Sequence, residues 1–500
     1  MVLERGAVLF DLTSSKYSVS SERGKCLLQL WSAERNIVRR VVDAEIKNGT
    51  LRLSVQRLGQ PRPSQLEICR DQDRRTPSAK RAVRTSYQHR LQRLLARHFP
   101  GFSLRRLSSS IDLERSFGPI YSRGVIRKGR SAFAILGVNA DETPASIDAA
   151  LTFGILWLDF CREAQDGKSV VEGLKLFVPS GHAMATRERM AHLDHDLAKW
   201  QLYEFNERED VACELDCSDR GNIATRLVHC PDFAAALSRF SVPIEQVLSF
   251  MPEAEVAVLS PAEVAFRLHG LEFARARVAH DSRSGEAAHE IVFGIGAEEH
   301  KLAPDTWPVF QQLMAEIGEV RHPEGPRDHP LFRLSPERWL ESLVIQNVSA
   351  IDERLDRSFV YSQVPAFSSA DRGMIDVLTA TISGRLAVVE LKADEDIHLP
   401  LQGIDYWSRV VWHLKGGEFQ SFGYFAGREL STEDPWLLFV APAFHVHPAT
   451  DTVLRYIRSS VCWTLIGVDE HWRDGVKVVF RKRPGDLRSG CNLLPAVAAN

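Results

Sequence analysis

Short apolar runs broken by turn residues open the chain. GKCLLQLWSAE, NIVRRVVDAEIKNG, TLRLSVQRLG and SQLEICRD alternate in part between apolar and polar positions, with turn residues such as Asn48-Gly49 between them. The pattern predicts a small β-rich domain over residues 1–75, with loops at GQPRPSQ and DQDRRTPS. The period then changes. From about Ser78 to His98, Val83, Tyr87, Leu91, Leu94 and Leu95 recur on one helical face, and Pro100-Gly101 ends the run. Strands are predicted near Leu104–Leu113, Gly124–Lys128 and Ser131–Val138, then a helix near Ala145–Ala164, a strand GLKLFVPS and a helix near Ala185–Lys199. That order, α-β-β-β-α-β-α, predicts a mixed sheet flanked by helices.

The C-terminal third repeats the order. A helix is predicted over Ser335–Asp352, with Ser335 as N-cap and Pro336 at its first position. RSFVYSQVPAF, MIDVLTATI and RLAVVELKA follow as strands, then a helix near Leu399–Leu414 that stops at Gly416-Gly417, a strand WLLFVAPAF and a helix TDTVLRYIRSS. The halves also share residues: RSAFAIL parallels RLAVVEL, LFV recurs, and WQLYEFNE parallels WTLIGVDE. His182 precedes Trp200 by the eighteen residues that separate His445 from Trp463. An internal duplication is expected. The domains read as 1–75 β-rich, 76–230 a first α/β unit, 231–330 a connecting α/β region with no assigned chemistry, 331–483 a second α/β unit, and 484–500 a flexible tail.

Composition adds little to this picture. The 500 residues are 44% hydrophobic and 25% charged, with net charge -3, which fits a soluble protein with a large core. No apolar run long enough to span a membrane is evident, and the N-terminal twenty residues do not resemble a signal peptide. Eight cysteines at irregular spacing fit a reducing, cytoplasmic setting. Cys213, Cys217, His229 and Cys230 cluster in sequence, but their spacing is poor for a zinc module. Charge is uneven. Residues 70–130 hold sixteen Lys and Arg, among them Arg74, Arg75, Lys80, Arg81, Arg84, Arg90, Arg93 and Arg97, against four Asp and Glu. Such an excess suits a nucleic-acid backbone, and it equally suits the solvated face of a basic helix.

The anomaly lies in the stretch GMIDVLTATISGRLAVVELKADED. Buried strands are normally almost all apolar, yet these two carry Asp376, Glu390 and Lys392. Residues two apart share a strand face, so Glu390 and Lys392 lie together, and an antiparallel partner can set Asp376 beside Glu390. Two carboxylates about 4 Å apart repel by roughly 4 kcal/mol at an effective dielectric near 20. Lys392 offsets one charge; a divalent ion offsets more, and magnesium suits oxygen ligands of this kind. The plainer reading is a Glu390–Lys392 ion pair in an ordinary strand. More residues accumulate, however. Glu341 on the preceding helix can reach the same sheet end, and Gln402 and Tyr406 share one face of the next helix, near Trp407 and Arg409.

Asp376, thirteen residues, then Glu390-Leu-Lys392 resembles the PD-(D/E)xK nuclease signature. QGIDY resembles the Q-x-x-x-Y element of the RecB-like branch, and LESLVIQNVSAIDERL…GMIDVL…GRLAVVELK is similar to the nuclease domain of NucS-type endonucleases. Met374-Ile375 stands where the signature has its Pro. The resemblance, strongest over Leu331–Lys415, implies a restriction-endonuclease-like fold and Mg2+- or Mn2+-dependent hydrolysis of phosphodiester bonds, DNA rather than RNA. It implies Asp376, Glu390 and Glu341 as metal ligands and Lys392 as the residue that orients the attacking water and stabilises charge on the phosphate. Gln402, Tyr406 and Arg409 would support nucleic-acid contact. By analogy, the β-rich N-terminus is a dimer contact. In the first half, alignment of RSAFAIL on RLAVVEL puts Ile135 and Gly137 at the positions of Glu390 and Lys392, and an ungapped count puts Tyr121 at that of Asp376, so a degenerate, non-catalytic copy is expected. The alternative for the whole chain is a nucleic-acid-binding or assembly protein that reuses such a fold without catalysis.

Overall fold

The computed structural model describes residues 2–488 except 5–6, 11, 13–15, 23–24, 32–35, 48–49, 57–62, 70–76, 113–115, 165–168, 219–222, 224, 281–286, 296–298 and 369–372. The turn at Asn48-Gly49 and the basic residues Arg74 and Arg75 thus lie outside the described residues, as do most of the GQPRPSQ and DQDRRTPS loops. The chain forms two compact units of mixed α/β structure: residues 1–187 with 198–216, and residues 188–197 with 217–500.

In the first unit, Val2–Glu4 to Ser64–Cys69 build a seven-stranded antiparallel sheet. Its alternation is that of a half-buried sheet. Leu28, Leu30, Leu53, Val55 and Leu66 enter one core, while the residues between them stay at least partly exposed. A six-stranded sheet follows. Ser103–Ser108, Ser122–Lys128 and Ser131–Gly137 pair antiparallel; Val170–Pro179 and Lys199–Asn206 then add in parallel, and Val211–Leu215 closes the edge antiparallel. The helix Pro77–His98 lays Tyr87, Leu91, Leu94 and Leu95 on the face that carries Phe133, Ile135, Phe177 and Tyr203. The helix Ala150–Glu163 covers the opposite face, where Leu174 meets Gly154.

The second unit holds a seven-stranded sheet in the order Thr225–Leu227, Leu355–Ser368, Met374–Thr381, Leu386–Leu391, Trp436–Pro442, Trp463–Val468, Val478–Lys482. Its last six strands repeat the pairing of the first unit's sheet: three antiparallel, two added in parallel, one closing antiparallel. The central strands are buried on both faces, which accounts for their nearly unbroken apolar runs. On one face the helix Pro336–Gln346 brings Trp339, Leu340 and Val344 against Val377, Ala387, Val389 and Leu391. On the other, the helix Leu399–Lys415 brings Ile404, Trp407 and Val410 against Leu386, Val388, Leu437 and Phe439. Residues 233–320 of this unit are a five-stranded antiparallel meander, Glu255–Ser260 to His300–Lys301, with three helices around a core of Phe240, Phe266, Phe273, Phe293 and Phe310.

Several expectations are corrected. The helix expected over Ser335–Asp352 ends at Gln346, and a 3-10 turn at Val348–Ala350 follows. Ser335 does not cap it with its side chain; its backbone is left-handed, at φ 48°. The helix near Ala145–Ala164 is two helices, Pro144–Asp148 and Ala150–Glu163. Together they are long and apolar enough to cross a membrane by length and composition, although 56% of that window is buried. The helix expected to run to Lys199 stops at Met190, because Lys199 already pairs in a strand. Thr225–Leu227 belongs to the second unit's sheet, paired with Leu355–Ser368, rather than to the first half. The tail begins with a short helix, Pro484–Arg488.

The sheet registers also shift the comparison of the two halves. Ile135 lies on the face toward the helix Pro77–His98, whereas Glu390 lies between Val389 and Leu391, which face the corresponding helix Pro336–Gln346. Matching strand pairs through Trp200 and Trp463 sets Leu136 at the position of Glu390, Val138 at that of Lys392 and Arg123 at that of Asp376. The ungapped alignment of RSAFAIL on RLAVVEL is thus one residue out of phase with the sheet, and one residue of phase exchanges faces along a strand.

Candidate functional site

The site begins with register. Leu386–Leu391 is buried at every position, and each of its large apolar side chains contributes roughly 1.5–3 kcal/mol by burial. That fixes the strand and carries Glu390 in with it, leaving the carboxylate only 2% exposed. Lys392 follows at the strand end, where its backbone N–H donates to Val440 O at 3.0 Å and its Nζ stands 3.4 Å from Glu390 Oε1. Asp376 sits at the start of the antiparallel neighbour; its Oδ2 accepts the Leu391 N–H at 2.9 Å. From the covering helix Glu341 enters the same sheet end, 4% exposed, its Oε2 accepting from Arg338 Nη1 at 2.8 Å. Gln363 closes the group: its Nε2 donates to Glu341 Oε2 at 3.0 Å and to Asp376 Oδ1 at 3.4 Å. The structure thus brings Asp376, Glu390, Lys392 and Glu341 together.

The electrostatics are those of anions short of counter-charge. Burial pushes the Glu390 carboxyl well above the usual range, and Asp376 adds to it. Burial likewise raises Glu341 and Asp376 against the pull of Arg338 and of the Leu391 N–H, respectively. Burial disfavours charge on Lys392 too, but Glu390, Glu337 and Asp376 outweigh it and the amine is held above its ordinary value. Two carboxylate oxygens, Glu341 Oε1 and Glu390 Oε2, are buried with no hydrogen-bond partner. An unpartnered buried acceptor is costly, and charge makes it costlier. An all-oxygen donor set with orphaned buried oxygens suits a hard divalent cation such as Mg2+. As the side chains stand, though, no group of three or more His, Cys, Asp or Glu residues among the described ones is gathered closely enough to hold a metal ion.

The helix Leu399–Lys415 contributes less directly. Gln402 has its Oε1 buried and unpartnered. Tyr406 is half-buried against the core below that helix. Arg409 is buried, with its guanidinium 5.7 Å from the Tyr406 ring, rather than presented to solvent. Trp407 is a core residue whose Nε1 donates to Pro435 O at 2.8 Å. Asp405, between them, takes a bidentate pair from Arg189.

Sequence reasoning missed Gln363, Arg338 and Glu337. Glu337 and Arg338 stand four and three residues before Glu341 on one helix, a spacing that marks neighbours. Gln363 has no sequence signal; its backbone is left-handed at φ 50°, which only the fold reveals. The basic stretch in the first unit is also less available than its charge implied. Arg84 is bidentate to Glu142, Arg90 reaches Glu207, and Arg93 and Arg97 flank Asp210. At the first unit's counterpart of the site, Arg123 is buried with its guanidinium 4.4 Å from the Phe117 ring, and Leu136 and Val138 are buried and apolar. Among the described residues, Cys213, Cys217, His229 and Cys230 belong to no group that could hold a metal ion. Cys213 Sγ lies 3.6 Å from Glu214 O, Cys217 Sγ lies 3.9 Å from Met190 Sδ, and His229 stacks on Phe422.

Comparison with family models, with curated proteins and with solved structures finds no match for this chain.

Proposed function

We propose that the second unit is a metal-dependent nuclease domain that hydrolyses phosphodiester bonds, DNA in preference to RNA. One observation carries the reading: three acids from two strands and a helix converge beside a lysine in a buried sheet end, with Glu341 Oε1 and Glu390 Oε2 left without partners. Asp376, Glu390 and Glu341 would hold Mg2+ or Mn2+, which supplies Lewis acidity and lowers the pKa of bound water. Lys392, kept protonated by its acidic neighbours, donates to a phosphate oxygen and stabilises the charge that develops there. The apolar strands around the acids keep water out and strengthen these interactions. The order of strands and flanking helices supports a restriction-endonuclease-like fold for this unit, and the equal order in the first unit supports a copy without the chemistry, since Arg123, Leu136 and Val138 provide no carboxylate.

Purified protein with manganese should cut DNA, and Asp376→Ala or Lys392→Ala should each abolish the cutting. Undiminished activity in both variants would remove the site. A second reading, a non-catalytic nucleic-acid-binding or assembly protein, draws on the spacing of the acids, which form no ready-made three-ligand cluster. Calorimetry separates the two: a catalytic site binds manganese, more weakly in Glu390→Gln, and a pure binder ignores it.

A further inference from the structure

We propose that Arg338 is a second phosphate-binding cation of this site, parked on Glu341 and released to the substrate when a divalent ion claims that carboxylate; this rests on the nuclease reading above. Elsewhere in the protein, some arginine–carboxylate pairs engage both oxygens of the acid. Arg84 grips Glu142, Arg189 grips Asp405 and Arg354 grips Asp352, each through Nε and Nη2. Arg338 meets Glu341 through Nη1 alone, at 2.8 Å. A guanidinium carries five N–H donors in a planar fork that matches a phosphate, so most of its capacity is unspent. Its side chain is 43% exposed while that of Glu341 is 5% exposed. The cation therefore stands at the mouth of the acid cluster, between the buried carboxylates and solvent.

The backbone beneath it is fixed. Trp339 is fully buried, and the carbonyls leading into the helix are gathered by Arg321, which donates to Leu331 O at 2.8 Å and Leu334 O at 2.6 Å. Gly270 packs so closely on Arg338 O that a Cβ there would lie 2.0 Å away. Any rearrangement is thus left to the Arg338 side chain. On Glu341, arginine and a divalent ion compete for the same negative charge, and their like charges repel. On a phosphodiester they act together, because both neutralise the same oxyanion. The fork also distinguishes Arg338 from Lys392, which brings a single point charge and stays beside Glu390.

The test uses the full chain, manganese and a fluorescent DNA duplex. Calorimetry of Arg338→Met and of Arg338→Gln should show manganese bound about 3–10-fold more tightly than in wild type, because the competing charge is gone. Turnover at saturating manganese should nevertheless fall roughly 10²-fold. Arg338→Lys should restore the wild-type manganese affinity and only part of the rate. Matching thermal melts of the variants exclude misfolding, and the two neutral substitutions guard against failure of either one. Unchanged or weaker manganese binding in both neutral variants, or turnover at the wild-type rate, overturns the assignment while the nuclease reading stands. A wild-type protein that neither binds manganese nor cuts removes both.

Discussion

Gln363 stands across the strand pair from Asp376, between the registered pairs Ser362–Val377 and Val364–Ile375, and its amide joins Asp376 to Glu341. It does so from a left-handed backbone at φ 50°, where a side chain other than Gly costs about 1–2 kcal/mol. Strain of this kind persists where surrounding structure over-determines it, and it concentrates at functional sites. The amide donor, aimed at two buried acids, is what the strained conformation secures.

This relationship gives an unusual ranking of variants. Gln363→Ala loses both hydrogen bonds and keeps the strain. Gln363→Gly loses the same bonds and releases the strain. Within a strand Gly is ordinarily the worse residue, yet here Gln363→Gly should be the more stable of the two by about 1 kcal/mol in urea unfolding. Both should cut DNA at least about 10-fold more slowly, since the acids lose the group that holds them in register. An Ala variant equal to or more stable than the Gly variant would contradict the strained geometry.

Glu390 makes stability depend on pH in a definite direction. Its folded pKa lies above the unfolded value, so through the window between them the native state binds more protons than the unfolded state. Stability then falls as pH rises through that window. Asp376 and Glu341 are raised by burial and act with the same sign. In metal-free buffer, Glu390→Gln should therefore stabilise the second unit relative to wild type, and the gain should be larger at pH 8 than at pH 5. Manganese at pH 8 should raise the wild-type melting temperature and leave that of Glu390→Gln nearly unmoved. A gain that shrinks with rising pH would refute the assignment.

Asp376, Glu390 and Lys392 were legible because strands alternate with a period of two, and charged side chains inside apolar runs are costly unless a partner or a ligand compensates them. The repeated strand order was legible for a related reason: parallel strands buried on both faces, such as Val170–Pro179 and Trp436–Pro442, read as continuous apolar runs. What failed was anything that depends on one residue of phase. The strand pairings make Leu136 rather than Ile135 the counterpart of Glu390, which moves it from one face of the sheet to the other. Residue type makes Ser335 a cap, but its left-handed backbone turns the hydroxyl away from that role. Charge alone makes the helix Pro77–His98 a polyanion surface, whereas its partners Glu142, Glu207 and Asp210 lie far along the chain and meet it only in the folded state.

Gly403 tests the packing that supports the site. The helix Leu399–Lys415 approaches the sheet so closely there that a Cβ would lie 2.4 Å from Phe439 Cε1. Phe439 is registered directly opposite Glu390. Ala is normally better than Gly in a helix interior by roughly 1 kcal/mol, but overpacking a filled core costs about 1–3 kcal/mol. Gly403→Ala should lower the urea midpoint of the second unit and slow cleavage, as Phe439 shifts against the strand of Glu390. A stabilised variant would show that the helix has room to spare.

Lys175 offers a pH test in the first unit, independent of any metal. Its Nζ lies 4.4 Å from the Phe133 ring centroid and 4.5 Å from that of Phe99, and it donates to Gln201 Oε1, which places the amine in an aromatic box with one polar partner. Burial lowers its pKa to about 8, against the opposing pull of Glu214 and Glu172. The unfolded chain, with an ordinary lysine, binds the proton up to about pH 10.4. Between these values the unfolded state holds more protons, so the stability of this unit should rise with pH from about 8 to 10, by an amount that solvent screening keeps below about 3 kcal/mol. Lys175→Met keeps the length and apolar stem while removing the charge, so it should stabilise the unit at pH 7 and flatten the rise. Urea unfolding at pH 7, 8.5 and 10 distinguishes the cases. A wild-type unit that loses stability over that range, or a Met variant with the same slope, would mean that the amine is not held in a medium hostile to its charge.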